Sequence, residues 1–400
     1  MIDTVLIMLL ALCLIAWILY FIVTIWNYHR LPNLGRVQSS HALQTLPFVS
    51  VIVPTRNEAY RIIDCIKSLK HQSYKHLEII IIDDSTDNTI KIIKEIIGND
   101  KRFIILKQEK LPKGWVGKPH AMQQASKIAK GEYLLFIDAD TSHEPQLISQ
   151  AISHVLTEKI DLLSVVPRHL CMTFWEKVIQ PIPLGLIPFI SPLAQVNNPK
   201  SKVVVAFGPF MLIKRSVFDA VGGYATIKGK IADDAEMAKL VKNSGYKVGL
   251  ANAQSLMKIR MYDSFHAVWE GWSKNIFMGL VQKRGITSRS FQILVALAGA
   301  IGIFATMVFP FLFTIVSLYF YLLTSLIIWQ HLLLFSGFIW LLAILIQFVV
   351  SYKYRIGSPI YSILSFLGGF ITIGIFLNSA IKAMSGVGVT WKGRIYHNST

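Results

Sequence analysis

The stretch Tyr133-Leu134-Leu135-Phe136-Ile137-Asp138-Ala139-Asp140 decides how this chain is read. An apolar run ends abruptly in two carboxylates spaced one residue apart. Short continuous runs of aliphatic and aromatic residues are buried strands. Carboxylates just past the carboxyl end of such a strand stand where open α/β sheets bind ligands. Two hard oxygen donors there suit a divalent cation that also carries phosphate oxygens. Asp is equally a common turn residue, so the triplet needs companions before it signifies more than a turn.

The companions lie on both sides of it. Residues 48–167 alternate short apolar runs with amphipathic stretches, giving candidate strands at 48–53, 77–82, 103–106, 133–137 and 161–166. Helix candidates fall near 61–71, 89–97, 121–130 and 146–156. That β-α-β-α order predicts a mainly parallel sheet with right-handed crossovers. The first strand runs into Pro54-Thr55-Arg56-Asn57-Glu58, the second into Asp83-Asp84-Ser85-Thr86-Asp87, the fourth into Asp138-Ala139-Asp140. Three polar clusters at matching strand ends converge on one crevice and point to a nucleoside-diphosphate site. One carboxylate group would read base and ribose, the other would hold a metal against the diphosphate. Neither G-x-G-x-x-G nor G-x-x-x-x-G-K-[ST] occurs, which argues against dinucleotide cofactors and P-loop hydrolysis.

The 400 residues are 53% hydrophobic, too apolar for an ordinary soluble protein, and the excess is localised. Residues 1–26 are almost continuously apolar, and 292–352 and 356–380 carry no formal charge. A bilayer span needs roughly 20 apolar residues, so an integral membrane protein is expected. The first segment lacks a basic n-region and an A-x-A-like cleavage site and reads as a retained anchor rather than a signal peptide. The net charge of +17 does not signify nucleic-acid binding. No Asp or Glu follows Glu270, while Lys274, Lys283, Arg284, Arg289, Lys353, Arg355, Lys382, Lys392 and Arg394 flank or separate the apolar runs. Basic residues beside spans mark the cytoplasmic side; His29, Arg30 and Arg36 therefore place the middle of the chain in the cytoplasm, at the plasma membrane. Cys13, Cys65 and Cys171 form neither a disulfide framework nor a zinc spacing.

The organisation expected is an N-terminal transmembrane helix at 1–26, a linker at 27–47, a cytoplasmic catalytic domain at 48–284, a C-terminal transmembrane region at 292–384 and a basic tail at 385–400. The proline-broken stretch 169–199 reads either as a buried linker or as an interfacial segment that admits a lipid. Residues 203–213 resume strand character, Asp233-Asp234 precedes a helix at 235–243, and 264–280 form an amphipathic helix. The basic loop 352–355 should face the cytoplasm, so 292–350 should hold two spans. Whether 356–380 crosses once or forms a hairpin stays open.

Residues 48–284 resemble the family 2 glycosyltransferases with the nucleotide-sugar-binding fold called GT-A. Val51-Ile52-Val53-Pro54-Thr55-Arg56-Asn57-Glu58, the Asp83-Asp84 pair and Asp138-Ala139-Asp140 match in order and spacing. Trp115-Val116-Gly117-Lys118-Pro119-His120-Ala121, Phe207-Gly208-Pro209, Arg260-Met261-Tyr262, Glu270-Gly271-Trp272-Ser273-Lys274 and Trp391-Lys392-Gly393-Arg394-Ile395-Tyr396 look like the membrane subgroup of carotenoid (diaponeurosporenoate) and hopanoid pathways. The resemblance implies sugar transfer from a nucleoside-diphosphate sugar, UDP-sugar first, to a lipophilic acceptor. Departures are present: the D-D-G-S-T-D loop lacks its glycine, and Trp269-Glu270-Gly271-Trp272 stands where polysaccharide synthases carry Q-x-x-R-W.

On that basis Pro54, Asn57, Glu58, Asp83, Asp84, Lys118 and Asp138 are expected to bind the donor, and Asp140 with Asp138 a Mg or Mn ion. Asp234, with Asp233 as rival, is the expected base for an inverting attack. Its bland alternative is helix capping, for which Asp is favoured. Trp115 and Trp272 are candidates for sugar or acceptor contact, while His120, His143 and His169 read as structural. The alternatives are a polyprenyl-phosphate glycosyltransferase or polysaccharide synthase, and a catalytically inactive membrane adaptor that binds nucleotide sugar. A transporter is disfavoured, because transport pathways place charges inside spans.

Overall fold

The computed structural model describes residues 2–36, 46–281, 289–385, 389–391 and 394–396. The basic turn Lys283-Arg284 and the tail residue Lys392 lie outside the described residues. The chain divides into two compact units, His29–Leu170 with Ser191–Met261, and Met1–Tyr28 with Cys171–Ile190 and Tyr262–Thr400.

The first unit is built on a seven-stranded sheet. Its strands in chain order are β1 (Val49–Thr55), β2 (Leu77–Asp83), β3 (Phe103–Lys107), β4 (Tyr133–Ile137), β5 (Thr141–His143), β6 (Leu162–Val166), β7 (Arg168–His169), β8 (Phe210–Lys214), β9 (Val248–Asn252) and β10 (Met257–Ile259). The large sheet runs β3-β2-β1-β4-β8-β6-β9, and β5-β10-β7 form a small second sheet. All pairings in the large sheet are parallel except those of β8, which is antiparallel to both β4 and β6. Residues Leu77 to Asp83 are buried throughout, as a strand covered on both faces demands. Glu78, near its start, accepts from the Ser50 hydroxyl (2.6 Å) and the Lys130 N–H (2.6 Å), which makes its burial tolerable. Crossover helices close over the sheet; Thr89–Ile97 buries Thr89, Ile93 and Ile97, a four-residue spacing that puts all three on one face. The strand expected over 203–213 is shorter than its apolar pattern: only Phe210–Lys214 is strand.

The second unit is helical. Among the described residues four helical stretches are long and apolar enough to cross a membrane: Asp3–Arg30, Ile293–Thr324, Ile327–Lys353 and Pro359–Lys382. Met8, Leu12, Leu322 and Leu341 are among many large apolar side chains left exposed on them, the surface a lipid solvent requires. Cys171–Ile190 groups with these helices rather than with the stretch 48–170 that precedes it. The physical reason is close packing. Gly368 lets helix Ser365–Ser385 approach helix Phe174–Ile179 so nearly that a Cβ there would lie 2.3 Å from the Val178 carbonyl oxygen.

Candidate active site

The loops after β1 and β2 are tied into one surface. The Thr55 hydroxyl donates to Asp83 Oδ1 (2.6 Å), as does the Ser85 hydroxyl (2.6 Å), and the Ser85 N–H donates to Oδ2 (3.1 Å). Asp83 is 7% exposed and is consumed in organising the loop. Asp84, one position on, forms a half-exposed ion pair with Arg56 and is the accessible carboxylate of the two. The shortened loop thus divides its aspartates between support and surface. Asn57 adopts φ 53°, a left-handed conformation that Asn tolerates better than most side chains. That geometry turns its amide to the second loop: Asn57 N–H donates to Ser85 Oγ (2.8 Å), and Oδ1 accepts from Thr86 N–H (2.9 Å). Pro54 is the penultimate residue of β1, in register with Ile82. Glu58 is buried, and its N–H donates to the Thr89 hydroxyl (2.9 Å).

A second cluster gathers past the end of β4. Lys118, in the first turn of helix Gly117–Ile128, reaches Asp138 Oδ1 at 2.6 Å and Asp233 Oδ2 at 3.7 Å. Burial opposes the charge on Lys118, but Asp138, Asp233 and Asp234 outweigh it and hold the ammonium protonated well above the usual lysine range. Burial pushes the Asp233 carboxyl up to about 6, against the pull of Lys118 and with added repulsion from Asp234 and Asp138. Asp234, the second residue of helix Asp233–Asn243, is less buried. Its Oδ2 accepts from the Gly208 N–H (2.8 Å) and its Oδ1 from the Ala235 N–H (2.7 Å), so its direction is set by backbone. Gly208 leaves little room for a side chain: a Cβ would lie 3.1 Å from Asp234 Oδ2 and 3.3 Å from Lys118 Nζ, so both side chains would have to give way slightly.

The donor set fits a hard divalent cation. Among the described residues no group of three or more His, Cys, Asp or Glu side chains is arranged to hold a metal. Asp138 and Asp140 are the carboxylates that could contribute to holding a metal ion. Mg2+ sites of one or two carboxylates completed by water and substrate phosphates are the usual arrangement. Lys118 already neutralises part of Asp138, so an ion there shares that carboxylate with the ammonium.

The aromatic candidates separate. Trp115 is half-buried, edge-on to His120 with centroids 5.4 Å apart. Trp272 belongs to the helical unit, is 6% exposed and packs edge-on to Tyr262. Two contributors escaped the sequence reading of the site. Gly208 supplies the N–H that orients Asp234, and Tyr224, fully buried, packs edge-on to Phe136 at 5.1 Å. Burial and the charges of Asp233, Asp234 and Asp138 raise the Tyr224 hydroxyl far above its ordinary range. The signals were Phe207-Gly208-Pro209 and Gly222-Gly223-Tyr224, but nothing local says which carboxylate a glycine N–H will meet.

The order of these strand-end carboxylates invites comparison with known proteins. Residues 50–222 match the sequence model of the family described as glycosyl transferase family 2. Over that segment the chain resembles a family 2 glycosyltransferase domain. The 4,4'-diaponeurosporenoate glycosyltransferase of Staphylococcus haemolyticus is 25% identical over 239 residues, covering 59% of this chain and 63% of that protein. The Staphylococcus aureus protein of the same name is 24% identical over 237 residues, covering 58% of this chain and 61% of its own length. The match thus spans less than two thirds of these curated relatives. A mannosyltransferase from Pyrobaculum calidifontis, solved with GDP-Man and Mn2+, shares the fold, with a TM-score of 0.53 at 17% identity over 96% of this chain and 99% of that one. The unit that contains residues 50–222 has the GT-A-like α/β architecture expected from the motifs, a mostly parallel sheet with one antiparallel insertion.

Proposed function

We propose that this chain is a membrane-anchored inverting glycosyltransferase. It moves a sugar from a nucleoside-diphosphate donor, a UDP-sugar first, to a lipophilic acceptor such as a carotenoid, another terpenoid or another membrane lipid. The observation that carries the reading is the pairing of Lys118 with Asp138 and Asp233 past the carboxyl end of β4, with Asp234 next to Asp233 and held by the Gly208 N–H. Cleavage of a sugar–diphosphate bond builds negative charge on the leaving oxygens. Lys118, held protonated, is a fixed positive charge aimed at that place. Asp138 and Asp140 would hold Mg2+ or Mn2+, whose chemistry there is Lewis-acid stabilisation of the diphosphate. Asp84, Asn57 and Arg56 form the surface for base and ribose.

Acceptor activation falls to Asp234. Its carboxylate is accessible and directed by two backbone N–H groups, whereas Asp233 is buried against Lys118. Attack by a hydroxyl needs that base; a carboxylate acceptor is already ionised near pH 7 and needs less help. The carotenoid acceptor is suggested by the printed names of the staphylococcal relatives, and the four apolar helices supply the membrane context. The basic residues flanking those helices support a catalytic domain on the cytoplasmic side.

The test separates the two ends of the site. D234N should bind nucleotide donor within about threefold of wild type yet lose roughly 100- to 10,000-fold in turnover, while D140N should lose metal-dependent binding itself. Full turnover by D234N removes it as the base; unaltered metal-dependent binding by D140N removes the metal assignment.

A further inference from the structure

Behind the Asp138–Asp140 turn lies a polar relay that the reaction itself does not use. The Thr141 hydroxyl donates to the Asp138 carbonyl oxygen at 2.7 Å, and Thr141 Oγ1 lies 2.9 Å from His143 Nε2. On the far side of the ring, Nδ1 lies 2.9 Å from Ser68 Oγ, on helix Ile62–Lys70. Thr141 is 1% exposed and His143 7%. The same short strand is gripped from its other edge, where β10 pairs with β5 and the Arg260 N–H donates to the Asp140 carbonyl oxygen at 3.2 Å. Every atom named belongs to one compact unit.

Counting protons fixes the direction of the relay. A threonine hydroxyl has one proton, and at 2.7 Å it goes to the Asp138 carbonyl oxygen, which can only accept. Thr141 Oγ1 must then accept from the ring, so Nε2 carries the hydrogen. With Nε2–H in place the neutral ring offers Nδ1 as an acceptor, and the one proton of Ser68 is shared between it and the Cys65 carbonyl oxygen, each 2.9 Å from Oγ. The contact with Thr141 is satisfied by the Nε2–H tautomer. Moving the hydrogen to Nδ1 would face Nε2 and the committed Thr141 oxygen lone pair to lone pair.

We propose that His143 is a positioning residue for the donor site: through Thr141 it anchors the Asp138 carbonyl and so sets the direction of the Asp138 and Asp140 carboxylates. It touches neither substrate nor metal. The proposal deepens the function given above and rests on it for its consequence, because a carboxylate pair must already point correctly when ion and diphosphate arrive. Groups that orient metal ligands from behind typically matter about 10- to 100-fold in affinity.

The experiment uses the full chain in detergent or nanodiscs and two paired substitutions. T141V and H143F remove the relay; T141S keeps the hydroxyl and H143Q keeps an N–H at the reach of Nε2. Two readouts are taken: amide hydrogen exchange over residues 138–142 without ligand, and Mn2+-dependent binding of UDP and of GDP by calorimetry. T141V and H143F should exchange faster over 138–142 and bind about 10- to 100-fold more weakly, with T141S and H143Q close to wild type in both. Unchanged exchange in folded T141V and H143F overturns the proposal, as does equal weakening in the conservative pair, which marks mere packing. Should wild type bind neither diphosphate with Mn2+, the proposed function fails instead, and the exchange readout still decides the relay.

Discussion

Lys118 is the residue on which the charge balance of the site turns. Three carboxylates face it, and its ammonium is what lets them coexist at 2.6 Å and 3.7 Å. K118M should lower turnover roughly 100- to 1,000-fold, as loss of a preorganised positive charge at a developing anion does; a change under threefold in steady-state turnover would remove Lys118 from the site. Two buried histidines make a different prediction. Burial pushes His143 down to about 3 and His169 to about 4, below the unfolded value near 6.5. The unfolded chain then binds more protons, so stability is full above about pH 6.5 and falls as pH drops toward the folded values. Between pH 6.5 and 5 each contributes a loss of about 2 kcal/mol. Thermal unfolding should therefore move to lower temperature over that interval, and less steeply in H143Q; parallel curves would contradict it. Much at this scale was legible. Asp138 and Asp140 sit where an apolar run stops, and a strand end is a local pattern. That Asp83 turns inward while Asp84 faces out was not legible, because it depends on a hydroxyl from Thr55, 28 residues earlier.

Single elements show where pattern reading holds and where it stops. The helix Thr89–Ile97 and strand Tyr133–Ile137 are visible in their own periodicity and composition. The antiparallel insertion of β8 between β4 and β6 is not, since periodicity fixes which face a strand buries and never its neighbour. The helical unit supplies a sharper case. Pro310 has no N–H to give to the turn before it, and residues Phe304–Val308 widen into a π turn there. Two carbonyls left without their helical donors find partners on the first helix: Trp17 Nε1 donates to the Thr306 oxygen at 3.0 Å and Cys13 Sγ to the Ala305 oxygen at 2.9 Å. In an apolar surrounding an unpartnered carbonyl is expensive, so W17F should lower unfolding stability in detergent by about 1 kcal/mol. An unchanged unfolding midpoint would show that another donor replaces the indole.

In the whole molecule one chain carries a GT-A-like α/β unit and an apolar helical unit. Its polarity across the membrane is testable, because Cys13, Cys65 and Cys171 are all buried and give a quiet background for labelling. With S358C introduced beside Lys353 and Arg355, an impermeant maleimide should react only once the cytoplasmic face is opened; reaction in intact cells would invert the orientation. The most direct measurement is transfer itself. Membranes containing the protein are given labelled UDP-glucose, UDP-GlcNAc, UDP-galactose and GDP-mannose with total lipid, plus Mn2+, Mg2+ or chelator. The account predicts label in the lipid fraction from at least one donor, abolished by chelator and by D140N. Label accumulating in a polymer instead, or label in lipid that survives both treatments, would contradict it.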